Sequence, residues 1–307
     1  MRLQTLTARP QTPAFNTCRR VLSSCWREMI FMIKASRPGF WLTSIWFYLL
    51  PLGTSWRPDT IAFWLGLIYV AMPLGMLIYA ANDVTDVETD SINPRKDSFL
   101  FGARPTREQI AGLPLRIALV QVPFVLLFYW LLGPPALLWF LAVLATTTFY
   151  NAVAKNRPGL DTLAQAGYLM VFVLANWLNE VTSAAWQFWV FGALFAMHSH
   201  LFGEIMDLEP DRAAGRRTTA VVIGARATKL VIVALLLAES FLALGIGHKP
   251  WLAPFLLVGA IVFALDWLFF WRERPYPALL MKLFFIGWNL FLLFEIIASS
   301  LYSRRII

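Results

Sequence analysis

Nine apolar stretches leave this chain few ways to fold. They run over residues 39–56, 61–81, 113–132, 135–153, 162–180, 186–205, 228–247, 251–271 and 277–301. Most approach or exceed the roughly 20 residues that a helix needs to cross a bilayer. In lipid, backbone polar groups must be satisfied within the segment, and an α-helix does that. The breaks carry charge, Pro or Gly, as at Trp56-Arg57-Pro58, Gly133-Pro134-Pro135, Arg157-Pro158-Gly159, Lys249-Pro250 and Arg274-Pro275. Composition agrees, because 59% of the chain is hydrophobic and only 14% is charged. Soluble domains carry about 25% charged residues. The expectation is an all-α fold, a polytopic membrane bundle of nine transmembrane helices. Residues 36–307 would form one domain behind a basic tail at 1–35.

The tail contains Arg2, Arg9, Arg19, Arg20, Arg27 and Lys34, without the short apolar core and small-residue site of a cleaved signal peptide. Residues 20–35 predict an interfacial amphipathic helix with Val21, Trp26, Ile30 and Ile33 toward the bilayer. Cys18 and Cys25 make neither a disulfide framework nor a zinc site. A net charge of +8 could suggest nucleic acid, but its distribution says otherwise. With the N-terminus cytoplasmic, all of the 26 Lys and Arg except Arg57, Lys249, Arg304 and Arg305 fall on the cytoplasmic face. The positive-inside bias therefore accounts for the charge and excludes a nucleic-acid partner. It places the chain in the cell's inner membrane, N-terminus in and C-terminus out.

Where the second run ends, the string NDVTDVETD (82–90) gathers acids and amides in a chain otherwise poor in them. On one continuous helix Asp83, Asp86 and Asp90 share a stripe, Asn82 flanks it and Glu88 points away. Where the sixth run ends, GEIMDLEPDRAAGRRTT (203–219) repeats the spacing with Glu204, Asp207 and Asp211, and His200 lies one turn earlier. Pro210 is expected to break that helix, so that Asp211 enters from a loop, while Glu209 points elsewhere. Two acidic clusters four runs apart on one face make a weak internal repeat.

Carboxylates crowded this way repel and call for cations. Two facing sets can hold Mg²⁺, which favours one or two carboxylates plus substrate phosphate over an all-protein cage. The neighbouring bases fit a diphosphate: Arg95 and Lys96, Lys155 and Arg157, and Arg212, Arg216 and Arg217. The spacing lacks the alternation and the Gly of a calcium-binding EF-hand. A proton-coupled transporter is the competing class, resting on Glu239, Asp266 and Glu295 inside the last three runs, where Lys282 is the one base near their depth. His198 and His200 stand beside the second cluster, as proton acceptors or as hydrogen-bonded helix residues.

The pair of motifs resembles the UbiA superfamily of intramembrane prenyltransferases, whose members carry NDxxDxxxD and DxxxD. Asn82, Asp83, Asp86 and Asp90 match the first, and Asp207 and Asp211 the second. SRPGFW (36–41), KNRPGLD (155–161) and DLEPDRAAGRRTTAVVIG (207–224) are similar to the lycopene elongase and archaeal-lipid-type branch. The Tyr-Pro-x-x-Lys-Arg string of the 4-hydroxybenzoate branch is absent, and Arg95-Lys96 stands where Arg-Thr is usual. The resemblance implies a helical bundle around a central lipophilic cavity, capped by the two motif loops. It implies Mg²⁺ on Asp83, Asp86, Asp90, Asp207 and Asp211, supported by Asn82 and Glu204. Arg95, Lys155 and Arg157 would hold an isoprenyl diphosphate. A lipophilic acceptor would attack the allylic cation, a carotenoid such as lycopene first and a quinone-precursor ring second. Without an external acceptor, the same site would be a terpene cyclase.

Overall fold

The computed structural model describes residues 25–181, 184–246 and 249–304. Among them the chain is helical and strand-free apart from an isolated bridge between Ser98 and Gly102. We number the helices α1 (25–35), α2 (Trp41–Leu49), α3 (Ile61–Thr85) and α4 (Val87–Ile92). Then come α5 (Arg107–Leu132), α6 (Pro134–Ala154), α7 (160–178) and α8 (Trp186–Met206). Last are α9 (Leu208–Ala213), α10 (Thr219–Leu244), α11 (Leu252–Leu268) and α12 (Ala278–Arg304).

Every apolar run is largely helical, yet only five helices among the described residues are long and apolar enough to cross a membrane: α3, α5, α6, α10 and α12. The expectation of nine spans is thus met in part, for local reasons. The first run gives a nine-residue helix because Pro51 diverts its end into a 3₁₀ turn. In α7 the turns over Ala164–Leu169 tighten to 3₁₀, and α11 stops at 17 residues. Polar Gln187, His198, Ser199 and His200 dilute α8.

Packing is inside-out relative to a soluble protein. Helix α5 exposes Leu115, Leu119, Leu126 and Trp130 while burying Gln121. Gln121 donates to the carbonyl of Pro73 at 2.7 Å and accepts from Tyr69 Oη at 3.0 Å, so both amide ends are satisfied. An aromatic array of Trp46, Phe47, Phe172, Phe195 and Trp288 joins α2, α7, α8 and α12 in the interior. Helix α1 lies on the bundle through Phe31 and Ala35, with Trp26 outward. The remainder of the expected interfacial helix, Val21 included, and Cys18 lie outside the described residues.

The acids within the last three runs have partners that the sequence hid. Lys229 Nζ lies 2.7 Å from Asp266 and Lys249 Nζ 3.4 Å from Glu295. His198 Nδ1 lies 2.6 Å from Glu239. Lys229 lies inside α10, five residues past its kink at Gly224, and Lys249 lies in the loop before α11; their long stems carry the charge to acids that distance along the chain had not paired with them.

Candidate active site

Both acidic strings break their helix at an aspartate. Helix α3 ends at Thr85 and α4 begins at Val87, with Asp86 at φ −107°, ψ 13°. Helix α8 ends at Met206 and α9 begins at Leu208, with Asp207 at φ −98°, ψ 5°. Both fall in the sparsely allowed bridge region where active-site residues recur. Arg216 helps hold the first break by donating to the freed Thr85 carbonyl at 3.1 Å. This corrects the expectation of one continuous stripe. It also moves the second break from Pro210 to Asp207, because Pro210 sits in the first turn of α9, where its missing N–H costs nothing. Helices α4 and α9 pack together, so the sequence repeat becomes a spatial pair.

Between them opens a cavity of about 110 Å³. Asn82, Asp86 and Asp90 line it from one motif, Asp207 and Asp211 from the other, with Arg37, Arg95 and Lys96 among the bases. Asp83 lies just below, fully buried. Turns widened to the π form over Met76–Ala80 and Tyr150–Ala154 lead into the ends of α3 and α6 that carry Asn82 and Lys155, a local irregularity frequent at functional sites. Arg37, at a left-handed φ of 53°, stacks 4.8 Å from the Tyr79 ring.

Each acid except Asp211 meets a protein cation. Asp83 Oδ1 accepts from Arg37 at 3.0 Å and Lys96 at 2.8 Å, and Lys96 also reaches Asp90 at 2.7 Å. Asp86 takes Lys155 and Arg216, both at 2.6 Å. Asp207 pairs with Arg95 and accepts from Asn93 Nδ2 at 2.6 Å. Asn82 accepts from Lys155. Burial works to raise the Asp207 carboxyl, but Arg95 and Asn93 outweigh it and hold the group low. Asp211 has no ion pair among the described residues. Burial, then Asp207, Asp86 and Glu204, push it up to about 8.

Two sequence-stated residues stand apart from the cavity. Glu204 turns to the start of α10, accepting from the Ala220 N–H at 2.9 Å, with His200 Nε2 at 3.0 Å. Arg157 is exposed, and its guanidinium makes no ion pair among the described residues. Conversely, Arg37 and Asn93 complete the cluster without having been named as site residues: Arg37 stood out only within the SRPGFW string, and Asn93 is a turn residue.

The donor set suits a hard divalent cation, since every candidate ligand is oxygen. Among the described residues no three His, Cys, Asp or Glu side chains converge as a preformed metal cage. Asp83 Oδ2 is nevertheless buried without a hydrogen-bond partner, and Asp211 has no ion pair among the described residues, with the neighbouring acids outweighing Arg216 around it. Both are marks of a site that accepts further positive charge.

The UbiA prenyltransferase family profile matches residues 40–290. The chain is 26% identical over 272 residues to a lycopene elongase/hydratase of Corynebacterium glutamicum, covering 83% of this chain and 93% of that one. A lycopene elongase/hydratase of Haloferax volcanii is 29% identical over 263 residues, 78% of this chain and 81% of the relative. A solved UbiA homologue from Archaeoglobus fulgidus, bound to DMAPP and Mg²⁺, superposes with a TM-score of 0.65 at 17% identity, over 89% of this chain and 96% of that one. That likeness is one of fold. With both acidic motifs inside the matched region, this protein belongs to the UbiA prenyltransferase family and is an integral-membrane prenyltransferase.

Proposed function

We propose that the chain transfers an isoprenyl group from an allylic diphosphate to a lipophilic acceptor, with Mg²⁺ at the two acidic motifs. The observation that carries this is the single small cavity onto which Asp86, Asp90, Asp207 and Asp211 open, ringed by Arg37, Arg95 and Lys96. In this reading Asp83, Asp86, Asp90, Asp207 and Asp211 hold metal and Asn82 supports them. Arg95 and Lys155 take diphosphate oxygens, joined by Arg37, Lys96 and Arg216. Mg²⁺ would supply charge neutralisation on the leaving group. The guanidinium and ammonium groups add hydrogen bonds to the same oxygens as the C–O bond breaks. The aromatic interior around Trp46, Phe195 and Trp288 gives the cation and the prenyl tail a dry, electron-rich surrounding.

The names of the relatives support a carotenoid end such as lycopene as acceptor. Nine membrane passes, a single domain over 36–307, a cytoplasmic N-terminus and residence in the inner membrane belong to the same proposal. The test incubates membranes containing the protein with allylic diphosphates and a panel of carotenoid and aromatic acceptors, with and without Mg²⁺, followed by mass spectrometry. Mg²⁺-dependent diphosphate release with prenylated carotenoid is the expected result. Prenylation of the aromatic ring alone would replace the acceptor, and absence of diphosphate release with every donor would overturn the reading.

A further inference from the structure

Lys96 occupies an unusual place. Its single ammonium lies 2.8 Å from Asp83 and 2.7 Å from Asp90, carboxylates on opposite sides of the Asp86 break. Its side chain is only 7% exposed, and it is the sole ion-pair partner of Asp90 among the described residues. Asp83 has Arg37 besides. Lys96 rides on the 93–104 segment, which is tied end to end and held to the start of the bundle at its middle. Arg104 donates to the Asn93 carbonyl at 2.6 Å, and the Gly39 N–H donates to the Phe99 carbonyl at 3.1 Å. The base of this lysine is therefore fixed, while its four-carbon stem can swing within the cavity it lines.

We propose that Lys96 is a tethered stand-in for a divalent cation, exchanging from Asp83 and Asp90 to the diphosphate as metal and diphosphate bind together. The inference rests on the diphosphate reading of the site. A compact ammonium bridging two buried carboxylates does electrostatically what a metal would do there, so bare metal must displace it. An arriving diphosphate supplies a competing anion for the same ammonium, and the vacated Asp90 then needs a cation. Metal and diphosphate thus favour each other, and by linkage the coupling is reciprocal. Asp83 has Arg37 beside it as well, so Asp90 is the carboxylate that the departure of Lys96 leaves without an ion-pair partner among the described residues.

The test measures Mn²⁺ bound to the full-length, detergent-purified protein by equilibrium dialysis, with and without inorganic pyrophosphate, the free ion being corrected for the Mn²⁺–pyrophosphate complex measured in protein-free buffer. For the wild type, pyrophosphate is expected to tighten Mn²⁺ about tenfold or more, within the usual range of coupling between sites. K96Q should bind bare Mn²⁺ about tenfold tighter than the wild type and lose most of that coupling. K96R keeps the charge and should keep bare Mn²⁺ weak. Equal wild-type affinity with and without pyrophosphate overturns the inference without any variant being needed, and so does K96Q binding bare Mn²⁺ no tighter. If the wild type binds neither Mn²⁺ nor pyrophosphate, alone or together, the diphosphate reading itself falls and the inference with it.

Discussion

Replacing Asp86 by Asn separates the two duties that the geometry gives this residue. Its carboxylate holds Lys155 and Arg216, each at 2.6 Å, and thereby ties the end of α3 to the segments after α6 and α9. The three side chains are 9–17% exposed, so solvent screens them little. Removing one partner of a buried pair costs about 3–5 kcal/mol. The amide of Asn keeps one acceptor, so the lower end applies, about 3 kcal/mol, or a drop of roughly 6 °C in thermal midpoint for a chain of this size. The proposed metal duty adds a separate loss. Removing one group that stabilises developing charge typically lowers kcat by about 10²–10³. The assay pairs the thermal midpoint in detergent with diphosphate release from geranylgeranyl diphosphate at saturating Mg²⁺. D86N/R216Q removes one orphaned cation and should recover part of the midpoint but none of the turnover. Near wild-type turnover in D86N, or turnover restored in the double variant, would refute the metal assignment.

Three further outcomes are expected. Burial lifts the Asp90 carboxyl to about 6, with Asp83 adding to it, and Asp211 stands at about 8. Both must lose protons to take a cation, so Mg²⁺ affinity should climb as pH rises from about 6 to 8, with proton release in a weakly buffered titration. The sign for metal-free stability is opposite: the folded state holds these protons more tightly than the unfolded chain, so stability falls as pH rises toward 8. A pH-independent Mg²⁺ affinity would count against both residues as ligands. Gly39→Ala puts a Cβ 2.5 Å from the Leu100 carbonyl oxygen, which should loosen the 97–102 segment, raise its protease sensitivity and lower turnover. Glu239→Gln, which keeps an oxygen facing His198, should leave diphosphate release close to wild type and produce no change in proton flux in vesicles. Loss of proton-coupled uptake in that variant would revive the transporter reading.

The sequence by itself determined the class of fold and where its chemistry gathers. Apolar runs of bilayer length admit little besides helices, and acids are too costly to cluster at helix ends in such a chain without a purpose. The i, i+3, i+7 spacing of Asp83, Asp86 and Asp90 picked out residues that the fold does bring into one charged cluster, on a mistaken picture of one straight helix. Only the tertiary structure placed the breaks at Asp86 and Asp207, because a helix bends where neighbours such as Arg216 take over its freed carbonyls, and no residue type at either position announces that. Only the fold could pair Asp83 with Arg37, 46 positions away, Asp207 with Asn93, 114 away, or Asp266 with Lys229. Ion pairing depends on distance in space, where long side chains and packed helices join positions that the chain keeps apart. The two acidic strings were legible because each is local. Of the cations around them, Arg95, Lys96, Lys155 and Arg216 stood out beside the apolar runs, but Arg37 and the carboxylate that each cation meets were not legible, because the partners arrive from different parts of the chain.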